Sequence, residues 1–231
     1  MQASEVIAQL LSTSVPALPQ TLVMQWAMTV LWALVLALVG EVLANRLSLN
    51  VRRLLAAGLV LWTLLPGTWS PDYWLGLAFH APSLSAMLLC LVYLIRSLFP
   101  SKRGSVAAQV ASAGLASRSV PAVKVLLAAA VVLGYVLLLD AFAVLPLQIY
   151  AWGFSPALLL ALLALSLLPW VLSGARTVAQ NSALWVVPAA LLLFAATRLP
   201  TGNVWDAVLD PWLWLVLQLA WLRSRYRRRP G

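Results

Sequence analysis

Long apolar runs alternate with short polar breaks along the chain, and the runs have the length of bilayer crossings. A helix needs about 20 mostly apolar residues to cross a hydrocarbon core, with about 17–25 tolerated. Seven runs meet or approach that length: 22–44, 54–69, 76–98, 123–145, 156–172, 182–197 and 208–222. The second is short and contains Pro66 and Gly67, but residues 54–98 together suffice for a tight helical hairpin. The pattern predicts an all-α fold, a polytopic membrane bundle of about seven transmembrane helices. Ahead of the first run, Val6, Ile7, Leu10 and Leu11 recur at helical spacing, followed by Pro16 and Pro19. That spacing predicts a short helix lying in the interface, so residues 1–20 are expected to form a periplasmic N-terminal segment.

Basic residues fix the orientation. With the N-terminus outside, alternation puts three loops and the C-terminus in the cytoplasm, and 14 of the 15 lysines and arginines fall there. Only Arg198 lands on the other side. Cytoplasmic loops are enriched in Lys and Arg, and a segmentation wrong by one helix would scatter them over both faces. The expected organisation is therefore a bundle over 21–222, with 99–123 as its main cytoplasmic loop, and a basic tail over 223–231. Arg223, Arg225, Arg227, Arg228 and Arg229 make that tail a topology anchor that also suits an acidic partner. Tryptophans follow the same map: Trp26, Trp69, Trp74, Trp152, Trp205 and Trp212 fall near the outer interface, and Trp170, Trp185 and Trp221 near the inner one.

Composition excludes whole classes of function. Hydrophobic residues make up 63% of the chain and charged residues 9%, where a soluble domain carries about 25% charged residues. A soluble enzyme and a conventional nucleic-acid-binding domain are both ruled out. Thirteen of the 15 basic residues are arginine, a bias that suggests a GC-rich bacterial genome and hence a multi-pass protein of the bacterial inner membrane. No Lys or Arg precedes Arg46, so the basic region of a secretory signal is missing. Cys90 is the one cysteine and His80 the one histidine, too few for a disulfide or a zinc ligand set. No catalytic residue, metal or cofactor is expected.

Ionisable groups are few enough to follow one by one. Glu41 lies about 28 Å along the first helix from Leu22 at 1.5 Å per residue, at the inner interface, with Arg46, Arg52 or Arg53 as partner. Asp140 and Arg198 each stand about 24 Å above the inner face by the same rise. Arg198 needs compensation, and Asp140, Asp206 and Asp210 are the candidates. With His80 these form an outer-face polar cluster, read chiefly as structural pairing. Asp72 shares that face, but a metal site would need loops from four hairpins to converge. In DPWLW, Asp210 is expected to cap a helix that Pro211 starts, with Trp212 and Trp214 turned to lipid or a partner.

Other chemical signatures fail. Ser155 lacks the second glycine of a nucleophile elbow, and Gly104 and Gly114 lack the lysine of a phosphate-binding loop. Pro66, Pro169 and Pro188 could break helices as in transporters. Gly40 with Ala33 and Ala37, and Gly134 with Ala128–Ala130, give small-residue faces for close helix approach. The leading expectation is a non-catalytic integral subunit that scaffolds or regulates a larger envelope assembly, for instance one that makes or exports a surface polymer. Its expected partners are membrane lipid and other membrane subunits, not nucleic acid. The alternatives are a facilitator for a small neutral solute and, third, an intramembrane enzyme using His80 or Asp140.

Overall fold

The computed structural model describes residues 18–99, 121–144, 148–168 and 183–226, and among them every regular element is a helix. The expected interfacial helix, most of the 99–123 loop and Arg227–Arg229 lie outside the described residues. Ten α-helices are described. They are α1 (Thr21–Leu43), α2 (Leu49–Thr63), α3 (Pro71–Phe79), α4 (Leu84–Leu98), α5 (Pro121–Ala141), α6 (Ile149–Trp152), α7 (Pro156–Ser166), α8 (Ala183–Thr197), α9 (Val204–Val208) and α10 (Pro211–Tyr226). Two are long and apolar enough to cross a membrane, Thr21–Leu43 and Val123–Ala141. At 15 residues, α2, α4 and α8 each rise only about 22 Å, short of a core about 30 Å thick.

The hairpin expected over 54–98 contains a break that the apolar run conceals. Its second limb is two helices rather than one, because Pro82 disfavours helix at Ala81 and has no N–H to continue the ladder. His80 ends α3 at φ 57°, and Ser83 restarts the chain by accepting the Ala86 N–H at 3.1 Å. Pro66 acts similarly upstream, ending α2 before a single 3₁₀ turn at Gly67–Trp69. The last run, expected from 208, begins its helix only at Pro211. Leu209 takes an extended backbone between α9 and α10, and α10 then continues through Tyr226, so Arg223 and Arg225 ride on its final turn.

Two buried clusters hold the helices together. Leu31, Leu84, Leu159, Leu191, Phe194 and Val204 form the larger one, centred on α8. Ala37, Ala56, Leu94 and Leu98 form a smaller one where α1, α2 and α4 meet. Small residues permit that approach, as the sequence suggested: a Cβ on Gly40 would strike the Leu59 side chain at 2.3 Å. Large apolar side chains on the other faces stay exposed, among them Leu22, Val30, Val125, Val132, Leu192 and Val216.

Gly134 seats an indole. A Cβ there would lie 2.2 Å from Trp214 Cδ1 and Nε1, and that Nε1–H donates to the Val131 carbonyl at 3.1 Å. Tyr135 stacks edge-on against the same ring at 4.9 Å. Gly134→Ala must displace the ring and break its hydrogen bond. The expected cost is about 1–3 kcal/mol of stability, read as a lower unfolding midpoint in detergent, with no loss for Gly58→Ala, where the space is open.

Candidate functional site

One end of the bundle gathers the aspartates, and each is spent on the backbone or hydroxyls of the protein's own loops. Asp140, at the end of α5, accepts the N–H groups of Ile149 (3.0 Å) and Tyr150 (2.7 Å). It thereby caps the short α6 from another helix, since the first amides of any helix lack intrahelical partners. Asp206, on α9, accepts the Tyr150 hydroxyl at 2.7 Å and the Thr201 hydroxyl at 2.5 Å. Asn203 is fully buried between these loops. Its Nδ2 donates to the Tyr150 carbonyl and its Oδ1 accepts the Trp205 amide, both at 2.9 Å. Gly153 makes room for it, because a Cβ there would stand 1.8 Å from Asn203 Oδ1. The α5–α7 and α8–α9 connections are thus clasped together.

Asp210 links this clasp to the other half of the chain. Its Oδ1 accepts the Leu213 amide at 2.7 Å, the helix cap expected from DPWLW. Its Oδ2 accepts the amide of Ser83 at 2.8 Å, 127 residues away. Two helix starts therefore share one buried carboxylate. Of the two tryptophans that follow, Trp212 is half-exposed and meets Phe79 edge-on at 5.0 Å, whereas Trp214 turns inward to α5.

His80 and Arg198 stand apart from this network. His80 contributes its carbonyl, which accepts the Trp32 indole N–H at 3.1 Å, while its side chain is exposed. Arg198 makes no ion pair among the described residues, so the expected pairing with Asp140, Asp206 or Asp210 is not found. Those carboxylates are occupied by backbone amides and hydroxyls, and the guanidinium instead lies over the Phe194 ring, 5.4 Å from its centroid. Arg198 also has φ 59°, a left-handed conformation that disfavours any residue with a Cβ. Asp72 accepts the Thr29 hydroxyl at 2.5 Å and that of Ser70. Among the described residues no three His, Cys, Asp or Glu side chains converge on a point that could hold a metal.

Asparagine 203 and Tyr150 are the members of the clasp that the sequence did not single out. The signal was present in TGNVWD, where a Thr and an Asn precede a short helix in cap positions. Trp205 packs inside the protein rather than facing outward as a belt anchor would. It is 5% exposed and donates its indole N–H to the Ile149 carbonyl at 3.0 Å, whereas Trp26, Trp69, Trp74 and Trp152 are exposed.

Partial burial, reinforced by the hydrogen bond to Asp206 and its negative charge, pushes the Tyr150 phenol above its ordinary value, which is about 10. A pKa raised on folding gives a contribution fully present below pH 10 and lost as pH rises through the folded value. Tyr150→Phe is expected to cost about 1 kcal/mol at pH 7. A difference absorbance titration against wild type should place the missing phenolate step above pH 10.

The opposite end of the bundle holds an ion pair. Glu41 on α1 is fully buried and pairs with Arg52 on α2, one of the three partners expected for it. Ser97 on α4 closes the triangle: its hydroxyl accepts from Arg52 at 2.5 Å and donates to Glu41. Glu41 Oε2 and Arg52 Nε are buried without hydrogen-bond partners. Beside them, Arg53 Nε donates to the Leu98 carbonyl at 2.8 Å, and its guanidinium lies over the Phe99 ring. Three helix ends are tied here in the low dielectric of a buried site.

Compared with known proteins, the chain matches no family model, no curated protein and no solved structure.

Proposed function

We propose that this protein is a multi-pass subunit of the bacterial inner membrane, with seven crossings, its N-terminus outside and its C-terminus inside. Its role is to scaffold a larger envelope assembly rather than to carry out a reaction. The observation that carries this reading is the use made of the aspartates. Asp140, Asp206 and Asp210 fix one loop against another, as a rigid frame requires. The arrangement of charge supports the orientation. Arg52 and Arg53 gather with Glu41 at one end of α1 and α2, while Asp72, Asp140, Asp206 and Asp210 serve the loops at the other. The short helices fit a bundle of this kind because neighbouring helices and loops cover their ends.

Tagging the chain at native abundance and extracting it in mild detergent tests the role. A stable stoichiometric partner is the expected result. A lone monodisperse monomer or dimer would overturn the scaffold reading and favour a facilitator, to be assayed by solute flux in liposomes. Topology is tested separately in a Cys90→Ser background. Thr201→Cys should react with an impermeant thiol reagent from outside the cell, and Ser112→Cys only after lysis.

A further inference from the structure

An apolar groove of about 440 Å³ runs between α1, α4 and α8, within the span of about 300–1,000 Å³ usual for small-ligand sites. Trp26, Val30, Leu31, Met87 and Leu193 line it, and Thr197 and Leu199 stand at one end. Its wall on α1 extends from Leu22 to Leu31, a rise of about 14 Å at 1.5 Å per residue. That is close to half of a hydrocarbon core about 30 Å thick, so the groove has the depth of a single leaflet.

Arg198 does not itself line the groove but lies in the chain between Thr197 and Leu199, which do. Three properties set it apart. It is the one basic residue on the aspartate side of the charge map, it makes no ion pair among the described residues, and its backbone is held at φ 59°. Its guanidinium rests over Phe194, which leaves its N–H fork without a carboxylate from the clasp. Arg198 follows the last residue of α8, where the helix dipole already favours a cation, and at the membrane interface the anion always present is the lipid phosphate. Arginine binds phosphate through two parallel, charge-assisted hydrogen bonds.

We propose that this groove holds one acyl chain of a phosphate-bearing lipid in the outer leaflet, with Arg198 binding the phosphate. The inference rests on the membrane orientation proposed above. It gives the Arg198 guanidinium, which makes no ion pair among the described residues, an anionic partner, and it covers an apolar surface between three helices with the molecule that surrounds them.

Photolabelling of the full chain in nanodiscs tests it, using phosphatidylglycerol with a diazirine in one acyl chain and a diacylglycerol probe with the same chain as control. Adducts mapped by mass spectrometry should concentrate on the facing segments of α1, α4 and α8. Arg198→Gln should lower phosphatidylglycerol labelling of the groove about tenfold, the size of one charge-assisted contact, and leave diacylglycerol labelling unchanged. Arg198→Lys should restore much of it. Leu193→Trp, which fills the groove, should lower both. Adducts spread evenly over every lipid-facing helix, or equal labelling of wild type and Arg198→Gln, would overturn the groove site. Absence of adducts on any helix would instead sink the membrane reading itself.

Discussion

Replacing Arg52 by alanine is expected to destabilise the protein by about 3–5 kcal/mol, the range for leaving one member of a buried ion pair without its partner. Glu41 is fully buried, and in Arg52→Ala its charge would lose its cation and keep neutral hydroxyls, that of Ser97 among them. Glu41→Ala is expected to cost less, because Arg52 keeps some contact with solvent. The pair itself contributes little net stability, since desolvation of two charges offsets most of their attraction. The double variant Glu41→Leu/Arg52→Met should therefore recover most of the loss. Denaturant unfolding in detergent for Glu41→Leu, Arg52→Met and the double gives the coupling directly. A double variant as unstable as Arg52→Ala would show that the charges are needed for more than each other.

Asp210→Ala is expected to be nearly as severe, at about 2–4 kcal/mol. The substitution strips two amides of their acceptor: that of Leu213, part-buried in the first turn of α10, and that of Ser83, buried at the start of α4. Loss of a helix cap costs about 0.5–2 kcal/mol, and a buried donor left without a partner costs about 1–3 kcal/mol. Asp210→Asn separates the two. One amide oxygen can still accept from one N–H, but the –NH₂ group faces the other as a second donor, so about half of the loss should remain. A loss in Asp210→Ala no larger than that of an ordinary cap would mean that the Ser83 contact contributes nothing.

The chain's periodicity located the helices well and their interruptions poorly. Hydropathy alone predicts a helix over 22–44, and the helix runs over Thr21–Leu43, because a long apolar run without proline has few other ways to satisfy its backbone. The break at His80–Ser83 escaped, since Ala81 and Pro82 sit inside a run whose mean hydropathy hides them. Charge arithmetic found Glu41 and its arginine, and cap chemistry found Asp210. Arg198 was misjudged by the same logic. Counting opposite charges near one interface names candidates for pairing, but not which backbone amides will claim the carboxylates first. Trp205 shows the matching limit for aromatics: sequence places an indole at a depth, and only the fold decides whether its N–H finds water or a carbonyl.

The shared carboxylate also bears on the order in which the molecule is put together. Synthesis delivers the chain from its N-terminus, so the triangle of Glu41, Arg52 and Ser97 has all its members once α4 is made. The amide of Ser83 must wait for Asp210, 127 residues later. Until then the Ser83 N–H lacks its acceptor, although the Ser83 hydroxyl already caps α4, and a chain truncated before Asp210 never supplies it. Arrival of the last helix is thus registered in the first half of the protein, at the amide of Ser83.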